Sequence, residues 1–102
     1  MLLILDGGLG SELERRGARI DLPLWSASAL MECPDLVEEI HREYIEAGAD
    51  VITTCSFRTH RRSLEKAGIG SRSRELTQLS ARLARSAAEG TNVRVAGSVS
   101  PL

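Results

Sequence analysis

The chain has 102 residues, enough for one small hydrophobic core and too few for two domains. Apolar residues at 42% and charged residues at 26% describe a globular chain and exclude a disordered or collagen-like one. A net charge of −1 and only three aromatics (Trp25, Tyr44 and Phe57) provide neither the basic surface nor the stacking platform that nucleic-acid binding needs.

The first predicted element is the apolar run Leu2-Leu3-Ile4-Leu5, which lacks alternation and reads as a strand buried on both faces. Counted from Met1, the run falls far short of the roughly 18 residues of a membrane span. No basic residues precede it and Asp6 follows it, so it does not fit a signal peptide. Asp6-Gly7-Gly8-Leu9-Gly10 is a sharp turn with exposed backbone. Ser11 and Glu14 have the spacing of a capping box, and Gly17 stands where a C-terminal glycine would end that short helix. Residues 18–33 predict an irregular excursion with a short helix from Ser26 to Met31, and loops of that length are more often functional than filler.

Pro34 opens the next helix, Leu36, Val37, Ile40, Tyr44, Ile45 and Ala47 recur along it at helical spacing, and Gly48 closes it. Val51-Ile52-Thr53-Thr54 is β-branched throughout and predicts a second strand. A short helix over Arg61 to Ala67 is stopped by Gly68. A longer one runs from Ser73 to Glu89 with Leu76, Leu79, Leu83 and Ala87 on one stripe. Val93 to Ala96 predicts a third strand.

Strands alternating with helices mean an α/β fold of three parallel strands joined by helical crossovers. Such a sheet needs cover on both faces and leaves two open edges. A (β/α)₈ barrel takes about 250 residues, so three strands in this length have the density of its first third. The expectation is therefore the N-terminal third of a TIM barrel, with residues 1–102 forming one incomplete domain. Two cysteines without a secretory signal predict free thiols and a cytoplasmic setting. Charge is asymmetric, net −7 over residues 1–57 and +6 over 58–102. The basic residues fall mostly on predicted helices, where solvated faces paired with acidic neighbours account for them.

Ligands of parallel α/β folds collect at the carboxyl ends of the strands. Three clusters fall there: Asp6-Gly7-Gly8, Thr54-Cys55-Ser56-Phe57 and Gly97-Ser98. Asp6 has the charge to hold an ammonium group, and the two glycines would let a small anion reach backbone N–H groups, which suits the two ends of a free amino acid. Equally, the same residues make a tight turn closed by an Asx-type hydrogen bond. A dinucleotide fingerprint starting at Gly8 fails at Leu13. No Gly-Lys-Ser/Thr triplet and no Gly-x-Ser-x-Gly elbow occurs. Cys33, His41, Cys55 and His60 are the candidate soft or imidazole ligands. Cys55 and His60 make at most half a site, and packing accounts for Cys33 and His41.

The stretches LLILDGGLGSELERRG, LPLWSASAL, CPDLVEEIHREYIEAGADVITTCSFRTHRRSLEKAGI and VRVAGSVSPL occur in this order. Together they resemble the N-terminal part of the homocysteine S-methyltransferases from residue 2 to 102. Asp-Gly-Gly alone is a weak motif, but its combination with Leu-Trp-Ser and with His-x-x-Tyr-x-x-Ala-Gly-Ala-Asp leading into the second strand is specific. The resemblance implies a (β/α)₈ barrel that moves a methyl group from a small donor to homocysteine, forming methionine. S-methylmethionine or S-adenosylmethionine is favoured as the donor, and zinc would hold the substrate thiolate. It also implies substrate-binding roles for Asp6, Gly7, Gly8, Trp25, Thr54 and Phe57, with the zinc ligands outside this segment, since neither Cys33 nor Cys55 matches one. Leu9 and Arg58-Thr59-His60 depart from the family pattern and leave betaine, folate and corrinoid donors open. The contrasting expectation is a non-catalytic α/β module that binds a small ligand or a protein.

Overall fold

The β-branched run after Gly48 forms the centre of the fold. A computed structural model describes residues 2–18 and 26–99. In it β1 (Val51–Thr53) pairs in parallel with β2 (Arg94–Ala96), Ile52 lying opposite Val95. Thr54 N–H donates to Ala96 O (2.9 Å) and Arg94 N–H to Asp50 O (3.0 Å), extending the ladder at both ends. Parallel strands cannot be joined by a tight hairpin. The connection accordingly carries α4 (Arg61–Glu65), a 3₁₀ turn (Gly70–Arg72) and α5 (Ser73–Ala88).

The other edge of β1 takes the first segment. Ile4 O accepts from the N–H groups of Asp50 (2.7 Å) and Val51 (3.2 Å), and Asp6 N–H donates to Val51 O (3.0 Å). This bridges Leu5 and Val51 in parallel and places β1 between the first segment and β2. The expected first strand, buried on both faces, is corrected here. One bridge forms instead of a ladder, and Leu2, Leu3, Ile4 and Leu5 are 93%, 51%, 59% and 63% exposed. Helices pack on β1 and β2, but no described residue buries these four side chains, and the Asp50 carboxylate accepts the Ile4 N–H (2.9 Å). The sheet therefore has two strands plus a bridge rather than three strands.

The first helix also begins earlier than its capping box predicts. In α1 (Leu9–Arg15) Gly8 is the N-cap and Ser11 lies within the helix. Starting at Leu9 puts Leu9 and Leu13, four residues apart, on the core side together. Gly17, at φ +89°, closes the helix as expected, with Gly17 N–H on Glu14 O (3.0 Å) and Ala18 N–H on Leu13 O (2.9 Å). The Arg16 guanidinium pairs with Glu12 and Glu43, which ties α1 to α3 (Pro34–Glu46). Arg15 and Arg16 together hold the Glu12 carboxyl down to about 2.

Between these helices lies α2 (Ala27–Glu32), one residue displaced from its predicted position, while residues 19–25, Trp25 among them, are outside the described residues. Leu13, Leu30, Val37, Ile40, Leu64 and Leu76 are fully buried and join α1 through α5 in one core. A second cluster, Ala49, Ile52, Ala84 and Ala88, packs α5 on the sheet. Arg61 pairs with Glu65 and Arg72 with Glu75, each at 3.0 Å, as expected of solvated helix faces. Among the described residues no helix is long and apolar enough to cross a membrane.

Candidate functional site

The turn after the first segment and the carboxyl ends of β1 and β2 open on one cleft of about 360 Å³. Gly7 and Gly8 line it from the turn, Thr53, Thr54 and Phe57 from the end of β1, and Ser98 from beyond β2. All three sequence clusters thus contribute to one concavity. Trp25 lies outside the described residues.

Asp6 stands half-buried beside this cleft, and its carboxylate reaches across to β1 rather than closing on its own turn. Thr53 donates to it twice, from N–H (3.0 Å) and from Oγ1 (3.2 Å). An ionised carboxylate offers about four acceptor sites, so capacity remains for a charged donor from the cleft side. Sequence reasoning did not identify Thr53 as the residue that holds Asp6; the signal was its place at the end of a strand parallel to the first segment.

Gly7 is also packed closely against α3. A Cβ there would stand 2.7 Å from the Tyr44 hydroxyl and 3.0 Å from the ring carbon Cε1, so a side chain at this position would have to displace the Tyr44 ring. The Tyr44 hydroxyl donates to Gly8 O at 3.2 Å. Thr54 is buried, and its hydroxyl belongs to a closed ring of bonds. Ser98 N–H donates to Thr54 Oγ1 (3.1 Å), which lies 2.5 Å from Ser56 Oγ, and Ser56 Oγ donates to Ser98 O (2.8 Å). With the Ser56 proton committed to Ser98, Thr54 gives its own proton to Ser56 and keeps only an acceptor lone pair. This ring clasps the ends of the two strands. Phe57 is 40% exposed at the cleft, with the Arg58 guanidinium 5.2 Å from its ring centroid.

Two of the four candidate ligands, His60 and Cys55, are engaged elsewhere. His60 caps α4, its Nδ1 accepting from Ser63 N–H (3.2 Å), and the Cys55 thiol donates to Ser26 O (3.7 Å). No group of three His, Cys, Asp or Glu side chains suited to a metal ion occurs among the described residues. Burial pushes the Cys55 thiol up to about 12, while the half-buried Cys33 thiol is raised by burial and then by the charge of Glu32. A thiol reagent at pH 8 is therefore expected to modify Cys33 first and Cys55 only in denaturant, because the thiolate is the reactive form. Peptide mass spectrometry on the native and unfolded chain checks this, and equal rates at the two cysteines would contradict it.

Comparison with known proteins agrees with this geometry. The family model described as homocysteine S-methyltransferase matches residues 3–102. The selenocysteine methyltransferase of Astragalus bisulcatus is 50% identical over 54 residues, which is 53% of this chain and 16% of that protein. Homocysteine S-methyltransferase YbgG of Bacillus subtilis is 38% identical over 84 residues, 81% of this chain and 27% of that one. The crystal structure of the homocysteine methyltransferase MmuM from Escherichia coli in its metallated form superposes with a TM-score of 0.89 at 38% identity, covering 98% of this chain and 38% of that one. The chain thus spans well under half the length of each of these relatives. With a family model matched along almost its whole length, the chain belongs to the homocysteine S-methyltransferase family.

Proposed function

We propose that the full-length protein carrying this segment transfers a methyl group from a small donor to the sulfur of homocysteine, forming methionine, and that residues 1–102 are the first third of its (β/α)₈ barrel. The observation that carries this is the convergence of the Asp6 turn and both strand ends on one cleft, in a chain that superposes almost entirely on a homocysteine methyltransferase. Asp6 receives the substrate ammonium, and backbone N–H groups of Gly7 and Gly8 face the carboxylate. Thr54 shapes the floor, while Phe57 and Trp25 exclude water. The protein acts in the cytoplasm, where Cys33 and Cys55 stay reduced.

The reaction is a displacement. The homocysteine sulfur bonds to the methyl carbon, the donor's sulfur–methyl bond breaks, and the thiol proton is released. A sulfonium donor, S-methylmethionine or S-adenosylmethionine, departs as a neutral thioether and is favoured for that reason. Zinc, which the family resemblance implies, would lower the thiol pKa. The described residues do not fit it, because Cys55 and His60 are engaged elsewhere and no third ligand joins them. Its ligands are assigned to sequence outside this segment.

The test is methionine formation by the full-length protein from homocysteine with each donor in turn. Methionine is expected with at least one sulfonium donor and not with betaine. No methionine with any donor would overturn the proposal. Selenocysteine, the acceptor in a relative's name, serves as a second acceptor in the same assay.

A further inference from the structure

The Asp6–Gly8 turn rests on α3 at Tyr44. Tyr44 fixes the backbone of the turn, through its hydroxyl on Gly8 O (3.2 Å) and through the ring that occupies the space beside Gly7. One helical turn earlier on the same face, His41 is fully buried, and neither ring nitrogen has a hydrogen-bond partner among the described residues. An unpaired buried imidazole is less favourable than an apolar side chain of similar size. Leucine would fill this space at lower free energy, so packing alone does not account for histidine.

The charges that reach the ring are those of Asp6, across the interface, and Glu38, three residues back on α3. Both favour the cation, but burial outweighs them and lowers the His41 pKa, leaving a neutral ring with one N–H to donate. We propose that His41 and Tyr44 are positioning residues for the Asp6 carboxylate, Tyr44 by fixing the path of the turn and His41 by supplying a buried hydrogen-bond donor to that carboxylate when substrate is bound. The His-x-x-Tyr spacing follows, since residues three apart on a helix face the same neighbour. The inference rests on Asp6 being the ammonium contact.

The experiment uses the full-length protein with His41→Leu, His41→Gln and Tyr44→Phe, and Asp6→Asn as the reference. Homocysteine KM, kcat and Tm are read for each. His41→Leu is expected to raise KM roughly tenfold with kcat within about twofold, the lower end of what one hydrogen bond to a charged group contributes. Its Tm should be unchanged or higher, since an unpaired polar group has gone. His41→Gln, which keeps a donor, should recover most of the KM loss, and Tyr44→Phe should raise KM about threefold. Unchanged KM in His41→Leu and Tyr44→Phe, beside a raised KM in Asp6→Asn, overturns this inference alone. Unchanged KM in all of them overturns the substrate reading as well. A raised KM that glutamine does not recover also counts against it, because shape rather than hydrogen bonding would then be at issue. Where His41→Leu fails to fold, Tyr44→Phe decides, since it removes one oxygen and keeps the ring.

Discussion

Asp6→Asn in the full-length protein is expected to raise the homocysteine KM about tenfold or more, because a hydrogen bond between charged partners contributes about 1.5–3 kcal/mol and 1.4 kcal/mol is a factor of ten. Asparagine keeps an oxygen for the Thr53 N–H, which now donates to Asp6 at 3.0 Å, so the turn should hold its path and Tm should change little. The substrate ammonium is remote from the reacting sulfur. The lost contact therefore weakens ground state and transition state alike, and kcat should be nearly unaffected. Steady-state kinetics with a parallel zinc determination separates the roles. Loss of zinc at unchanged KM would remove Asp6 from the amino-acid site.

Leu76→Ala should produce the largest loss of stability, about 2–5 kcal/mol, because it opens a cavity where a fully buried side chain now fills the core. Leu76 is 0% exposed and joins the cluster shared by Leu13, Leu30, Ile40 and Leu64, so α5 is seated through it on helices from the first half of the chain. Leu79, on the same helix but only partly buried, serves as the control, and Leu79→Ala should lower the urea midpoint by clearly less. Native domains hold only about 5–15 kcal/mol in total, so the Leu76 change alone could unfold a marginal variant. Equal midpoints for the two variants would mean that the core is not centred as described.

Local signals with one strong physical cause were legible in the sequence. Pro34 opens α3, and the left-handed glycines Gly17, Gly48 and Gly68 follow the ends of α1, α3 and α4 as expected. The β-branched run at 51–53 gave the central strand because such residues pack well on a pleated, half-buried sheet surface. The capping box failed because its spacing competes with the gain from burying Leu9 beside Leu13, and burial won. The apolar run at 2–5 failed for a related reason: hydrophobicity predicts that a segment wants cover, and the described residues provide none.

The amino-acid sequence by itself determined the order of the helices and of the two paired strands, the parallel α/β class and which turns lie at strand ends. These follow from side-chain periodicity and from backbone conformations open to few residue types. Only the tertiary structure decided that Asp6 is held by Thr53, that Gly7 yields its space to Tyr44, and that Thr54 is bound into a hydroxyl ring with Ser56 and Ser98. Each of these pairs residues 37 to 47 positions apart, apart from the short Thr54–Ser56 link. Contacts at such separations depend on how strands and helices pack against one another, and no local pattern encodes them.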